Sequence, residues 1–154
     1  MATVADIRTV PRSLKNPQFN RDTLPRALAA AGIGYVHLPR LGGLRHSPKG
    51  EHPASAGWRN ASFRAFADYM QTGEFEQGLR ELVALPSPVA FMCAEALPWR
   101  CHRSLVADAL SARGFEVEQI VGRRAVPHRL TSFAKVVGTR VIYPAAEPPQ
   151  GAGS

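Results

Sequence analysis

Residues 88–114, PVAFMCAEALPWRCHRSLVADALSARG, constrain the fold more than any other stretch of this chain. Val89–Met92 is a short apolar run bounded by Pro88 before it and a polar turn after it. Such a run suits a strand buried on both faces, as in a parallel sheet. Cys93 falls at its carboxyl end. Pro98 suits the first turn of a helix, where its missing N–H costs nothing. Cys101, Leu105, Val106, Ala109 and Leu110 then recur at helical spacing and form one apolar face. Gly114 supplies the left-handed residue that closes the helix. The turn at residues 94–97 therefore lies where a parallel strand hands over to a helix amino terminus. Open α/β sheets bind ligands there, and the unpaired N–H groups favour anions.

The rest of the chain repeats this alternation. Residues 4–8 read as a strand, with Asp6 and Arg8 towards its carboxyl end and a basic loop containing Arg12 after it. A helix is expected at about residues 23–31, with Asp22 or Thr23 as cap and Gly32 closing it. Residues 33–38 form the second strand, with His37 near its end. Residues 39–59 hold three prolines and four glycines in 21 residues, and an irregular segment this long inside a domain is usually functional or disordered. Gly42 and Gly43 offer either a simple turn or a close approach of backbone to a ligand. Trp58 either covers a pocket or anchors its own loop. Asn60 or Ser62 caps a helix through Met70, and Thr72 caps another to about Leu85. A fourth strand is expected at residues 116–121 and a short one at 140–143. Strands alternating with helices predict an α/β fold: a single small domain with a mostly parallel sheet, flanking helices and one long irregular loop.

Size and composition fit one domain over residues 1–143. A Pro/Gly/Ala-rich tail at 144–154 reads as disordered. No apolar run approaches the roughly 18 residues of a membrane span, and the first residues lack a signal peptide's apolar core. Two cysteines without an export signal point to a reducing, cytoplasmic setting, where a structural disulfide is not expected. The formal charge of +7 is uneven. Residues 60–87 carry four acids and two bases, whereas 123–140 carry five bases and no acid. The partner this implies is an anionic small molecule or nucleic acid, set against a basic surface that serves solubility alone.

If the first three strands are parallel, Asp6, Arg8, His37 and Cys93 converge at one edge, beside the helix start at Cys101, His102 and Arg103. The segments DIRTVPRSLKNPQFN, YVHLPRLGG, WRNASFRAFADYM, FMCAEALPWRCHRSLVADAL and PHRLTSFAKV resemble the bacterial family catalogued as domain of unknown function 488. The resemblance implies an intracellular α/β domain in which Asp6, Arg8, His37, Cys93, Glu95, Cys101, His102, Arg103 and His128 cluster. Members usually open with a further strand and helix, which this sequence does not show before its aspartate strand; the expectation is either a sheet incomplete on one side or a chain whose true start lies further upstream. A sheet edge left open by that difference invites a homodimer.

Four chemistries stay open. In the first, Cys101 and Cys93 are thiols activated by a helix amino terminus, His102 and the neighbouring arginines; both also fit as small core residues. In the second, Cys93, Cys101 and His102 with His37 or His128 hold a metal, although the cysteine spacing matches no zinc motif, and adjacent helical residues point about 100° apart. In the third, Glu95 or Asp6 acts as a base with His102 or His37 as partner, while Arg8, Arg12 and Arg103 hold an anion; the same charges also suit static ion pairs. In the fourth, the chain binds nucleic acid without catalysis through its basic carboxyl-terminal segment. The residues name no cofactor.

Overall fold

The computed structural model describes residues 2–12, 16–46, 50, 52–93 and 101–145. The tail read as disordered lies outside them from residue 146 on. Three strands form the parallel sheet: β1 (Thr3–Asp6), β2 (Gly34–His37) and β3 (Val89–Met92), in the order β2-β1-β3. β1 is the central strand and is buried at Thr3, Ala5 and Asp6, whereas no residue of either outer strand is fully buried. That gradient explains why β1 tolerates almost no polar residue without a partner.

Among the described residues there are four α-helices; α2 and α3 start at expected side-chain caps, whereas Thr23 makes no capping bond to α1 and α4 starts only at Arg103, after His102. α1 (Leu24–Ala30) packs on β2 and ends before Gly32, whose φ of +75° only glycine adopts without strain. α2 (Ala61–Tyr69) starts at Asn60, whose Oδ1 accepts from the N–H groups of Ser62 (2.8 Å) and Phe63 (3.2 Å). α3 (Gly73–Val83) starts at Thr72, whose Oγ1 accepts from the Phe75 N–H. α4 (Arg103–Ala112) ends at a left-handed Gly114.

The core joins Ala5 and Ile7 to Phe66 and Met70 of the α2 region, to Phe75, Leu79 and Leu82 of α3, and to Leu105, Val106 and Leu110 of α4. Trp58 packs against Phe63, Phe133 and Tyr143, with ring centroids 4.8–5.3 Å apart. It anchors its own loop.

Among the described residues the sheet is parallel only in these three strands. β4 (Glu118–Val121), expected to extend it, pairs antiparallel with β5 (Arg124–Pro127). β6 (Lys135–Val137) pairs antiparallel with β7 (Arg140–Ile142). Both are separate two-stranded ribbons, so the fold is mixed α/β. The reason is local: Gly122 (φ +61°) and Gly138 (φ +65°) sit in two-residue turns, which direct each strand back on its neighbour before any crossover can form.

Candidate functional site

Register places Asp6 level with His37 on one side and Met92 on the other. Arg8 leaves β1 and Cys93 leaves β3 from that same edge. Asp6 has no exposed surface. Its Oδ1 accepts from the backbone N–H of Arg8 (3.1 Å) and from Nε (2.8 Å), and its Oδ2 from Nη2 (2.7 Å) and the Tyr35 hydroxyl (2.5 Å). Burial alone would raise the Asp6 carboxyl, but the hydrogen bonds from Arg8 and Tyr35 outweigh it and hold the group below its usual range. The same bond raises the Arg8 guanidinium, while burial and the Asp6 carboxylate push Tyr35 up to about 12. Arg8 Nη2 also donates to the Phe19 carbonyl at 2.6 Å. Nε is thus spent on Asp6, and Nη2 on Asp6 and the Phe19 carbonyl, which leaves Nη1 without a hydrogen bond among the described residues.

The histidines at this edge have fixed tasks. His37 Nε2 donates to the Arg8 carbonyl at 2.7 Å. His102 Nε2 donates to the Ile7 carbonyl at 3.0 Å, and its ring packs edge-on against Phe66. Burial lowers the His102 pKa, with the carbonyls of Ile7 and Leu41 acting in the opposite sense. In the neutral ring a proton on Nε2 leaves a lone pair on Nδ1. That Nδ1 is 3.4 Å from Cys101 Sγ, which also receives the Arg103 backbone N–H at 3.3 Å.

Two sequence expectations change here. Cys101 and His102 do not lie on the helix; they precede α4, so the 100° separation does not apply and sulfur and imidazole meet. The sulfurs of Cys93 and Cys101 are brought side by side as a pair, which cysteine usage alone did not lead one to expect. The end of β3 and the residues just before α4 therefore lie beside each other.

A cavity of about 320 Å³ opens on this pair, lined by Arg8, Thr9, Ser62, Cys93, Cys101 and His102 among others. Gly42 and Gly43 are needed beside it. A Cβ on Gly43 would stand 2.6 Å from His102 Nδ1, and one on Gly42 would collide with Thr9. The close approach is real, but backbone meets the protein's own site. Thr9 Oγ1 in turn accepts from the Leu44 N–H at 3.0 Å. A larger open groove of about 1010 Å³ runs between the irregular loop and α2, past Arg45, His46, His52, Arg64 and Asp68. No sulfur and none of the sheet-edge residues line it, so the smaller cavity is the candidate site.

The remaining expected residues divide. Arg103 begins α4, half-buried. Arg12 is exposed and does not line the cavity. Glu95 and the turn at 94–97 lie outside the described residues. His128 is away from the cavity: its Nε2 donates to Asp108 at 2.7 Å and its Nδ1 accepts from Gln119 at 2.8 Å. Asp108, fully buried, also accepts from Thr131 and from the Tyr143 hydroxyl. Sequence reasoning missed Asp108, Tyr35 and Thr9. Only Asp108 carried a signal, an acid within the apolar run Leu105–Leu110 that must find partners when buried. Among the described residues no three His, Cys, Asp or Glu side chains gather as a metal-holding set, and no helix is long and apolar enough to cross a membrane.

No curated protein and no solved structure matches the chain. The model of one family, the domain of unknown function DUF488, matches residues 1–110, which include every cavity-lining residue of the sheet edge, and the chain belongs to that family.

Proposed function

We propose that this chain is a thiol-dependent protein in which Cys101 is the nucleophile, His102 its base and Cys93 the resolving thiol, acting on a small anionic ligand in the sheet-edge cavity. The observation that supports this most is the His102 ring: Nε2 is tied to the Ile7 carbonyl, and Nδ1 is left as an acceptor 3.4 Å from Cys101 Sγ. The Arg103 N–H and the start of α4 favour the thiolate further. In the reduced protein Nδ1 takes the Cys101 proton, and the thiolate attacks one sulfur of a small disulfide. A mixed disulfide forms and the first thiolate leaves, taking up the proton. Cys93 then attacks Cys101 Sγ, its proton passes to the second thiolate as that leaves, and the Cys93–Cys101 bond closes. Two electrons pass from the protein to the substrate. A carboxylate or phosphate on the ligand would meet Arg8 Nη1 at the cavity wall.

Such a cycle belongs in a reducing compartment, the cytoplasm, where the pair is regenerated by other thiols. A homodimer is part of the same reading, since β2 and β3 each leave one edge unpaired among the described residues; light scattering of the reduced chain checks it. The deciding experiment is alkylation of each reduced cysteine across pH, read by mass spectrometry on the folded protein. Cys101 is expected to react as a thiolate well below the ordinary value of about 8.5, and Cys93→Ser to trap a mixed disulfide at Cys101. If both cysteines stay inert until the protein unfolds, they are core residues and the reading fails.

A further inference from the structure

Residues 118–142, beyond the matched family region, build two ribbons with little burial. β5 and β6 are exposed along their whole length, and Ile120 and Val137 are 65% and 59% exposed. An isolated two-stranded ribbon is marginal in water unless something covers it. The same segment carries Arg123, Arg124, Arg129, Lys135 and Arg140. All five are exposed, and among the described residues none makes a side-chain hydrogen bond or ion pair. Elsewhere the arginines that matter to the fold are committed: Arg8 to Asp6, Arg40 to Glu81, Arg113 to Glu76, and Arg45 to two carbonyls. The one acid on these strands, Glu118, faces Pro127 at the end of its ribbon opposite the Gly122–Arg123 turn.

We propose that the two ribbons are a docking surface for duplex DNA, with Arg123, Arg124, Arg129, Lys135 and Arg140 on the phosphates. Charge chooses the occupant. A second copy would bring five cations against five, which repels. Single strands need free aromatic faces on which bases stack. The aromatic ring side chains in the two ribbons and their connection are Phe133, held against Trp58 and Tyr143, and His128, whose side chain is buried and held between Asp108 and Gln119. The major groove of an A-form RNA helix is too deep and narrow to enter. The major groove of B-form DNA admits a two-stranded ribbon with a tight turn, and its phosphates supply the missing anions. The exposed valines and Ile120 then meet sugars and thymine methyl groups rather than water.

The test is fluorescence anisotropy of a labelled 20-base-pair mixed-sequence DNA duplex, titrated with the full chain at several salt concentrations. Saturable binding that weakens steeply with salt is expected. Arg123→Ala/Arg124→Ala/Arg140→Ala should weaken it at least tenfold at low salt and flatten the log–log salt slope by about 2.7, since each lost phosphate contact removes about 0.9. Arg129→Ala/Lys135→Ala is an independent variant expected to flatten it by about 1.8, and it decides the matter if the triple variant fails to fold by circular dichroism. Cys101→Ser should leave the slope unchanged, so this surface and the thiol site stand or fall separately. The proposal is overturned by an absence of saturable binding at low salt, or by folded variants that bind like the parent. It is equally overturned if oligo-dT, anionic vesicles or an acidic peptide bind more tightly than the duplex through the same residues.

Discussion

At the scale of single residues, the edge of the sheet rests on two titrating groups whose partners are fixed. Asp6 is buried and paired, so Arg8→Ala leaves an uncompensated buried carboxylate and should cost about 3–5 kcal/mol in urea unfolding. The pH sense follows from the lowered carboxyl. Its stabilising contribution is complete above the ordinary 3.8 and is lost as pH falls through the lower folded value. An Asp6→Asn protein should therefore show a flatter acid limb than the parent. His102 is also depressed, by burial, so the unfolded chain binds its proton first. Stability should fall as pH drops below the ordinary 6.5, and His102→Gln should remove that part of the loss. The same substitution keeps a donor for the Ile7 carbonyl but removes the base beside the sulfur. On the proposed thiol reading, alkylation of the reduced Cys101 at pH 7 should slow roughly tenfold. If the thiol pKa stays where it was, His102 has no role in activating it.

At the scale of elements, the side-chain caps of α2 and α3 and the glycines that close α1 and α4 could be read directly, because they depend on neighbours in sequence. Asn60 and Thr72 cap the helices they precede, and Gly32 and Gly114 close theirs with positive φ. The parallel trio was legible from apolar runs spaced by helices. The fate of residues 118–142 was not, because pairing in that region is decided by two tight glycine turns and not by the apolar period. The meeting of Cys101 with Cys93 was equally hidden. It depends on where a helix starts, and the start at Arg103 was obscured by an apolar spacing that runs on into Cys101. Gly43 joins the two levels. Its glycine pair read as a turn or a close approach, and the approach proves to be to His102. Gly43→Ala should push the ring away from Cys101, raising the thiol pKa while the loop itself stays folded. Alkylation rate against pH, together with circular dichroism, separates that outcome from simple unfolding.

At the scale of the whole molecule, one carboxylate connects the family-matched part to the ribbons. Asp108 lies on α4, the helix that starts beside Cys101, and it collects four donors from the later segment: His128 Nε2 at 2.7 Å, the Thr131 N–H at 3.1 Å, the Thr131 hydroxyl at 2.7 Å and the Tyr143 hydroxyl at 2.8 Å. Burial and this carboxylate push the Tyr143 hydroxyl far above its ordinary value, so it stays protonated as a donor. Val141 and Tyr143 complete the attachment by burying against the core. Asp108→Ala would leave several buried donors without an acceptor, each costing about 1–3 kcal/mol, so a loss of at least about 3 kcal/mol is expected. The loss should be uneven. Amide hydrogen exchange should accelerate first in β6 and β7, whose hold on α4 depends on those bonds, while β1 and its neighbours keep their protection until global unfolding. Cys101 alkylation should then change little in the conditions where the ribbons have loosened. If protection is instead lost equally in β1 and β7, the ribbons and the parallel sheet form one cooperative unit, and Asp108 serves the core as a whole.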